Sequence, residues 1–134
     1  MINYFIISER MSLYLKYTNF YNMNTIVLQK TYILFIKISD HVSRLPKIVR
    51  YSLGLAIDRS NLELLEFLAA AEHAEPVLKN RILLDANTKA EVLKLLLRIL
   101  VEKKLLNETN YFSFSSDLIE IGKMIGGWRK SLAK

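Results

Sequence analysis

The stretch LIEIGKMIGGWRKSL, residues 118–132, places Leu118, Ile121, Ile125, Trp128 and Leu132 at intervals of 3, 4, 3 and 4. With Phe114 four residues earlier, this is the a/d period of a helix packed in a bundle, and it predicts a fourth helix with one continuous apolar seam. Gly122, Gly126 and Gly127 lie in the same stretch. Each costs about 1 kcal/mol relative to alanine inside a helix, so the stretch asks for a compensating contact. Ser115, Gly122 and Gly126 share the strip beside the seam. The Gly122-x-x-x-Gly126 spacing leaves a groove without side chains, which a neighbouring helix can approach closely. That helix belongs either to the same chain or to another subunit.

Three more helices are expected upstream. Helix one runs from Asn24 to Arg44 on a stripe of Leu28, Tyr32, Phe35, Ile38 and Val42. Pro46 turns the chain and opens helix two, expected to continue to His73 or Ala74. Helix two carries two apolar stripes. The first is Val49, Leu53, Ala56, Leu64, Phe67 and Ala71; the second is Ile48, Tyr51, Leu55, Leu62, Leu65 and Ala69. A helix apolar on two sides is covered on two sides, by a second subunit or by a central place in its own bundle. Pro76 opens PVLKNRILLDANT, read as a connection with a further helical turn, with Asp85 or Asn87 as caps. Helix three then spans Thr88 to Leu106, with Val92, Leu93, Leu96, Leu97, Leu100 and Val101 as its apolar face. Short connections predict an all-α, up-down-up-down four-helix bundle over residues 23–134.

Composition agrees. Four glycines and two prolines in 134 residues are few for a sheet protein. Residues 1–22 hold four of the seven tyrosines and lack helical periodicity, so they are expected to stand outside the fold, as a disordered tail or upstream read-through before Met23. Without cysteine there is no disulfide or thiolate chemistry, and no apolar run approaches the ~20 residues that span a bilayer. The expected location is the cytoplasm, with no membrane partner. The net charge is +6 and the pI about 9.6; Glu9, Arg10 and Lys16 account for +1, leaving +5 on the bundle. Such a balance favours nucleic acid or an acidic protein surface as partner.

No catalytic constellation stands out. His41 and His73 belong to no HExxH or HxxxH spacing, and Glu66, Glu72 and Glu75 near His73 lack the Glu-x-x-His pattern of a bundle metal site. Phosphate-loop, nucleophile-elbow and dinucleotide fingerprints are missing from the sequence. The expectation is a non-enzymatic protein without metal or cofactor. A helical enzyme or metal carrier, the rival of another class, would purify with bound metal.

Two segments, RLPKIVRYSLG at 44–54 and LIEIGKMIGGWRKSL at 118–132, with LKLLLRIL between them, resemble the accessory variability determinant (Avd) proteins of diversity-generating retroelements. A cousin family, encoded in intervening sequences of bacterial large-subunit ribosomal RNA genes, also ends in an EIGKM-like helix. That family usually carries a SIPSNIAEG-like stretch in helix two, where this chain reads GLAIDRSNLELLEF. The resemblance implies a non-enzymatic homopentamer, a basic barrel of four-helix protomers that binds the retroelement's reverse transcriptase and RNA or DNA. It would support mutagenic copying of a template RNA and transfer of the copy. Under it, Arg44, Lys47, Arg50, Lys79, Arg81, Lys94 and Arg98 are the expected phosphate or polymerase contacts, Arg50 and Arg98 matching the family pattern best. Lys123, Arg129 and Lys130 are weaker candidates, because they also suit the C-terminal end of a helix. Tyr51, Leu55, Leu62, Gly122, Gly126 and Trp128 are the expected subunit or close-packing contacts.

Overall fold

The computed structural model describes residues 23–133, all of whose regular structure is helical; the expectations for residues 1–22 lie outside the described residues. In chain order the helices are α1 (Met23–Ser43), α2 (Lys47–Arg50), α3 (Leu53–His73), α4 (Pro76–Glu102) and α5 (Glu108–Leu132). The four long helices close a ring in which α1 packs on α3, α3 on α4, α4 on α5 and α5 back on α1. Every neighbouring pair is antiparallel, as short connections require.

Each long helix turns one a/d seam inward. On α5 the seam is Phe114, Leu118, Ile121, Ile125 and Trp128, all buried, as its spacing predicts. On α4 it is Leu83, Ala86, Ala90, Leu93, Leu97 and Leu100, alternating 3 and 4. This corrects the reading of 76–88 as a connection: Pro76 occupies the first turn of a 27-residue helix, where its missing N–H costs nothing, and Asp85 and Asn87 are interior residues rather than caps. Ala86 and Ala90 hid the seam because small residues register weakly as hydrophobic. Val92 lies outside it and is exposed.

The seams of α1 and α3 also sit differently from expectation. On α1 the buried residues are Val27, Thr31, Leu34, Ile38 and Val42, while Leu28, Tyr32 and Phe35 are half-buried at its flank. On α3 the core face is Gly54, Ile57, Asn61, Leu64, Leu68 and Ala71; Ala56 is exposed, and Val49, Leu53 and Phe67 are half-buried. A polar residue inside each seam shifted the apparent stripe. Thr31 is satisfied by donating to the Val27 carbonyl (2.9 Å), and Asn61 Nδ2 donates to the Phe35 carbonyl across the α1–α3 interface (3.2 Å). A buried polar residue that finds its partner in only one alignment fixes the register of the pair.

Helix two breaks where continuity was expected. Ser52 adopts φ −119° and ψ −90°, and its hydroxyl donates to the carbonyls of Ile48 (2.9 Å) and Val49 (3.3 Å), so α2 ends and α3 starts afresh. Gly54 lets the corner fold onto α1: a Cβ there would stand 3.2 Å from Val42 Cγ1 and 3.3 Å from the Val49 oxygen. At the same end, α4 closes in a Schellman turn, with Leu105 N–H donating to the Leu100 carbonyl (2.8 Å) and Lys104 N–H to that of Val101 (2.9 Å). Lys104 takes the left-handed position (φ 62°) that glycine usually fills. Asn107 caps α5 by accepting from Asn110 N–H (2.7 Å).

The glycines therefore divide. At Gly126 and Gly127 an added Cβ meets nothing within 4 Å, so alanine there should raise protomer stability by about 0.5–1 kcal/mol each through helix propensity. Gly54→Ala should lower it by roughly 1 kcal/mol or more through overpacking. Urea unfolding of the variants, compared at fixed protein concentration, measures both signs.

Candidate functional site

The seven cations singled out in the sequence fall into three places. Arg44, Lys47 and Arg50 gather at the end of the bundle where α1 gives way to α2 and α3. Arg44 pairs with Asp40 (3.1 Å), one turn earlier, and Arg50 donates to the Ser43 carbonyl (3.1 Å) while lying over the Tyr51 ring (5.4 Å). Lys47 is exposed. His41 Nε2–H donates to the Leu105 carbonyl (3.2 Å), which ties this corner to the α4–α5 turn. Exposed Lys103 and Lys104 thus join the same basic end. The sequence reading passed over these two lysines; the signal was the Lys-Lys pair following the last apolar residue of α4.

Lys94 and Arg98 lie one turn apart on α4, beside a cleft of about 250 Å³ between α4 and α5. Glu91 and Leu95 complete the α4 wall, and Tyr111, Ser115 and Ile119 form the α5 wall. Lys94 Nζ is 3.0 Å from Glu91, and Arg98 Nε is 3.6 Å from Glu102, the pairing that their spacing predicts. Such solvent-facing pairs contribute at most about 1 kcal/mol and leave donors for a stronger anion.

Lys79 and Arg81 sit at the other end of the molecule. They occupy the first turns of α4, roughly 25 Å from Arg98 at 1.5 Å per residue. Lys79 lies over the Trp128 ring (5.7 Å), and Arg81 faces Asp85 (3.8 Å). The seven cations do not form one patch. Arg129, for its part, donates to the Asn80 side chain (3.1 Å) and fastens α5 to α4.

Of the residues expected at close contacts, Trp128 is in the core, whereas Tyr51, Leu55 and Leu62 are 61%, 56% and 45% exposed. Among the described residues these three side chains of the second stripe stay exposed while Leu65 on the same stripe is half-buried, so a central place in the described bundle does not account for all of it. A Cβ at Gly122 would meet only Asn87 Oδ1, at an ordinary 3.5 Å, and Gly126 faces open space. Among the described residues no intrachain contact accounts for Gly126. Among the described residues no three His, Asp or Glu side chains gather as a metal site, and no helix is long and apolar enough to cross a membrane.

Asp58 lies one turn from both Leu55 and Leu62 on the bare stripe, and burial raises its carboxyl above the usual carboxylate range. A raised carboxyl pKa makes the charged form a cost of folding. That cost is full above the folded-state pKa and is relieved as pH falls through it. Asp58→Asn should therefore raise the urea midpoint at about pH 7, with the gain shrinking towards about pH 3.5. An equal gain at both pH values would show that desolvation is not the cause.

No curated protein and no solved structure matches the chain. A family profile described as bAvd-like matches residues 25–132, a span that covers all four long helices except the first two residues of α1. The chain belongs to the bAvd-like family.

Proposed function

We propose that the protein is a non-enzymatic accessory protein of a diversity-generating retroelement. As a basic homo-oligomer, a pentamer by family resemblance, it binds the reverse transcriptase and nucleic acid in the cytoplasm and supports mutagenic copying of template RNA. The observation that carries this reading is the family match over residues 25–132. The partner polymerase performs the chemistry; this chain supplies surface and charge.

Two features of the protomer support the reading. The bare stripe of Tyr51, Leu55 and Leu62 on α3 and the open glycine face of α5 are surfaces that a soluble monomer has no use for, and both suit helix packing between subunits. Cations concentrated at one end and along α4 offer phosphate contacts that are indifferent to base sequence. Five chains at +5 would carry roughly +25, enough to steer a polyanion or a nucleic-acid-laden enzyme.

Light scattering on the chain from Met23 should give the mass of a pentamer, and Leu55→Asp with Leu62→Asp should reduce it to the protomer with the helical spectrum kept. A monomeric parent would overturn the oligomeric part of this reading and leave the family membership standing. Lys94→Glu with Arg98→Glu should abolish retention of nucleic acid at moderate salt without loss of helicity. Unchanged retention would remove the α4 cations from the interface.

A further inference from the structure

The α4–α5 cleft has an unusual floor. Ser115 is 8% exposed, and its hydroxyl has no hydrogen-bond partner. A serine or threonine inside a helix ordinarily donates back one turn, as Thr31 and Thr88 do to Val27 and Leu84. Ser115 does not, and its oxygen is closed to solvent in this rotamer; rotation about χ1 is the step by which the hydroxyl would donate into the cleft that the residue lines.

The walls narrow the class of occupant. Leu95 and Ile119 are 61% and 47% exposed, so each presents apolar surface that no described helix covers. Lys94 and Arg98 stand on the α4 side, and the Glu91 carboxylate at the rim can accept from an amino group. Apolar walls, a hydroxyl at the floor, one acceptor and two cations match a nucleobase with its phosphate. The base contacts apolar surface through its faces, exchanges hydrogen bonds through its edge, and the backbone lies along the cations. In a duplex those faces are stacked and the edges paired, so the cleft, at about 250 Å³, is closed to it.

We propose that this cleft takes one unstacked nucleotide of a single strand, with the base between Leu95 and Ile119 over Ser115 and the flanking phosphate on Lys94 and Arg98. The proposal rests on the nucleic-acid reading above and adds strand form to it. The cations alone would hold single and double strands alike through phosphate contacts; the cleft makes the difference.

The test is fluorescence anisotropy of the oligomeric protein with a labelled mixed-sequence single strand and with the duplex of the same sequence, at matched salt. The single strand should bind roughly tenfold tighter. Ile119→Trp, which plugs the cleft without changing charge, should erase that preference, and Ser115→Ala should weaken single-strand binding about three- to tenfold, the effect of one hydrogen bond. Both variants should leave duplex binding, mass and helicity unchanged. Equal affinity for the two forms, or a preference that survives Ile119→Trp, overturns the proposal. So does a variant that splits the oligomer while strand preference persists, which would make the cleft a subunit contact. Free mononucleotide competing as well as the strand, per nucleotide, would reassign the site to a soluble nucleotide. Failure to bind either form would instead overturn the nucleic-acid reading itself.

Discussion

The structure depends on one repeated constraint: every long helix must bury a seam that returns every 3.5 residues on average, and four such seams fill a common interior. On α4 and α5 the seams are Leu83 to Leu100 and Phe114 to Trp128, running antiparallel. Burying one leucine side chain is worth about 1.5–3 kcal/mol, so the seams outweigh local penalties such as the left-handed Lys104 and the glycines of α5. Ala86 and Ala90 on α4 fill the seam with little bulk. They are as necessary to the interior as the leucines around them, because a packed seam needs small residues opposite large ones.

A bundle satisfied by one seam and its half-buried flank on each helix leaves some apolar residues without work inside the described protomer. That is the condition of Tyr51, Leu55 and Leu62 on α3 and of Leu95 and Ile119 across the α4–α5 cleft. The two sets differ in company. The α3 stripe carries Asp58, whose carboxyl pKa is raised by burial, and exposed Arg59, each one turn from Leu55 and Leu62, whereas the cleft is ringed by Lys94, Arg98 and Glu91 above an orphaned hydroxyl. Apolar surface next to more apolar surface suits another helix; apolar surface next to cations and a hydroxyl suits a ligand that is itself half apolar and half ionic.

Charge pairing along the surface refines the electrostatics. Lys30 bridges Asp117 and Glu120 between α1 and α5, and Lys89 meets Glu63 between α3 and α4, so part of the positive charge is engaged in fastening helices. The basic end is different. Lys47, Lys103 and Lys104 are exposed there, and Arg44 and Arg50 are held by contacts within their own corner. What gathers these charges is the hydrogen bond from His41 to Leu105 and the fold of the Pro46 corner, which Arg50 itself helps to close by donating to the Ser43 carbonyl.

The amino-acid sequence by itself determined the helical class, the number of long helices and the seam of α5, because each depends on spacing along one helix. It also determined the family, through residues at both ends of the bundle. Only the tertiary structure decided the true seams of α1 and α3: Asn61 counts as interior once the Phe35 carbonyl on α1 receives it, and Thr31, which donates within its own helix, is interior because other helices cover that face. It decided that 76–88 is helix, because alanines declare themselves as core only when another helix lies against them. It separated Lys79 and Arg81 from the other cations and placed Lys103 and Lys104 at the same end of the bundle as Arg44. Local periodicity is a property of one segment, whereas which charges share a surface depends on how segments are packed, and that information is spread over all four seams at once.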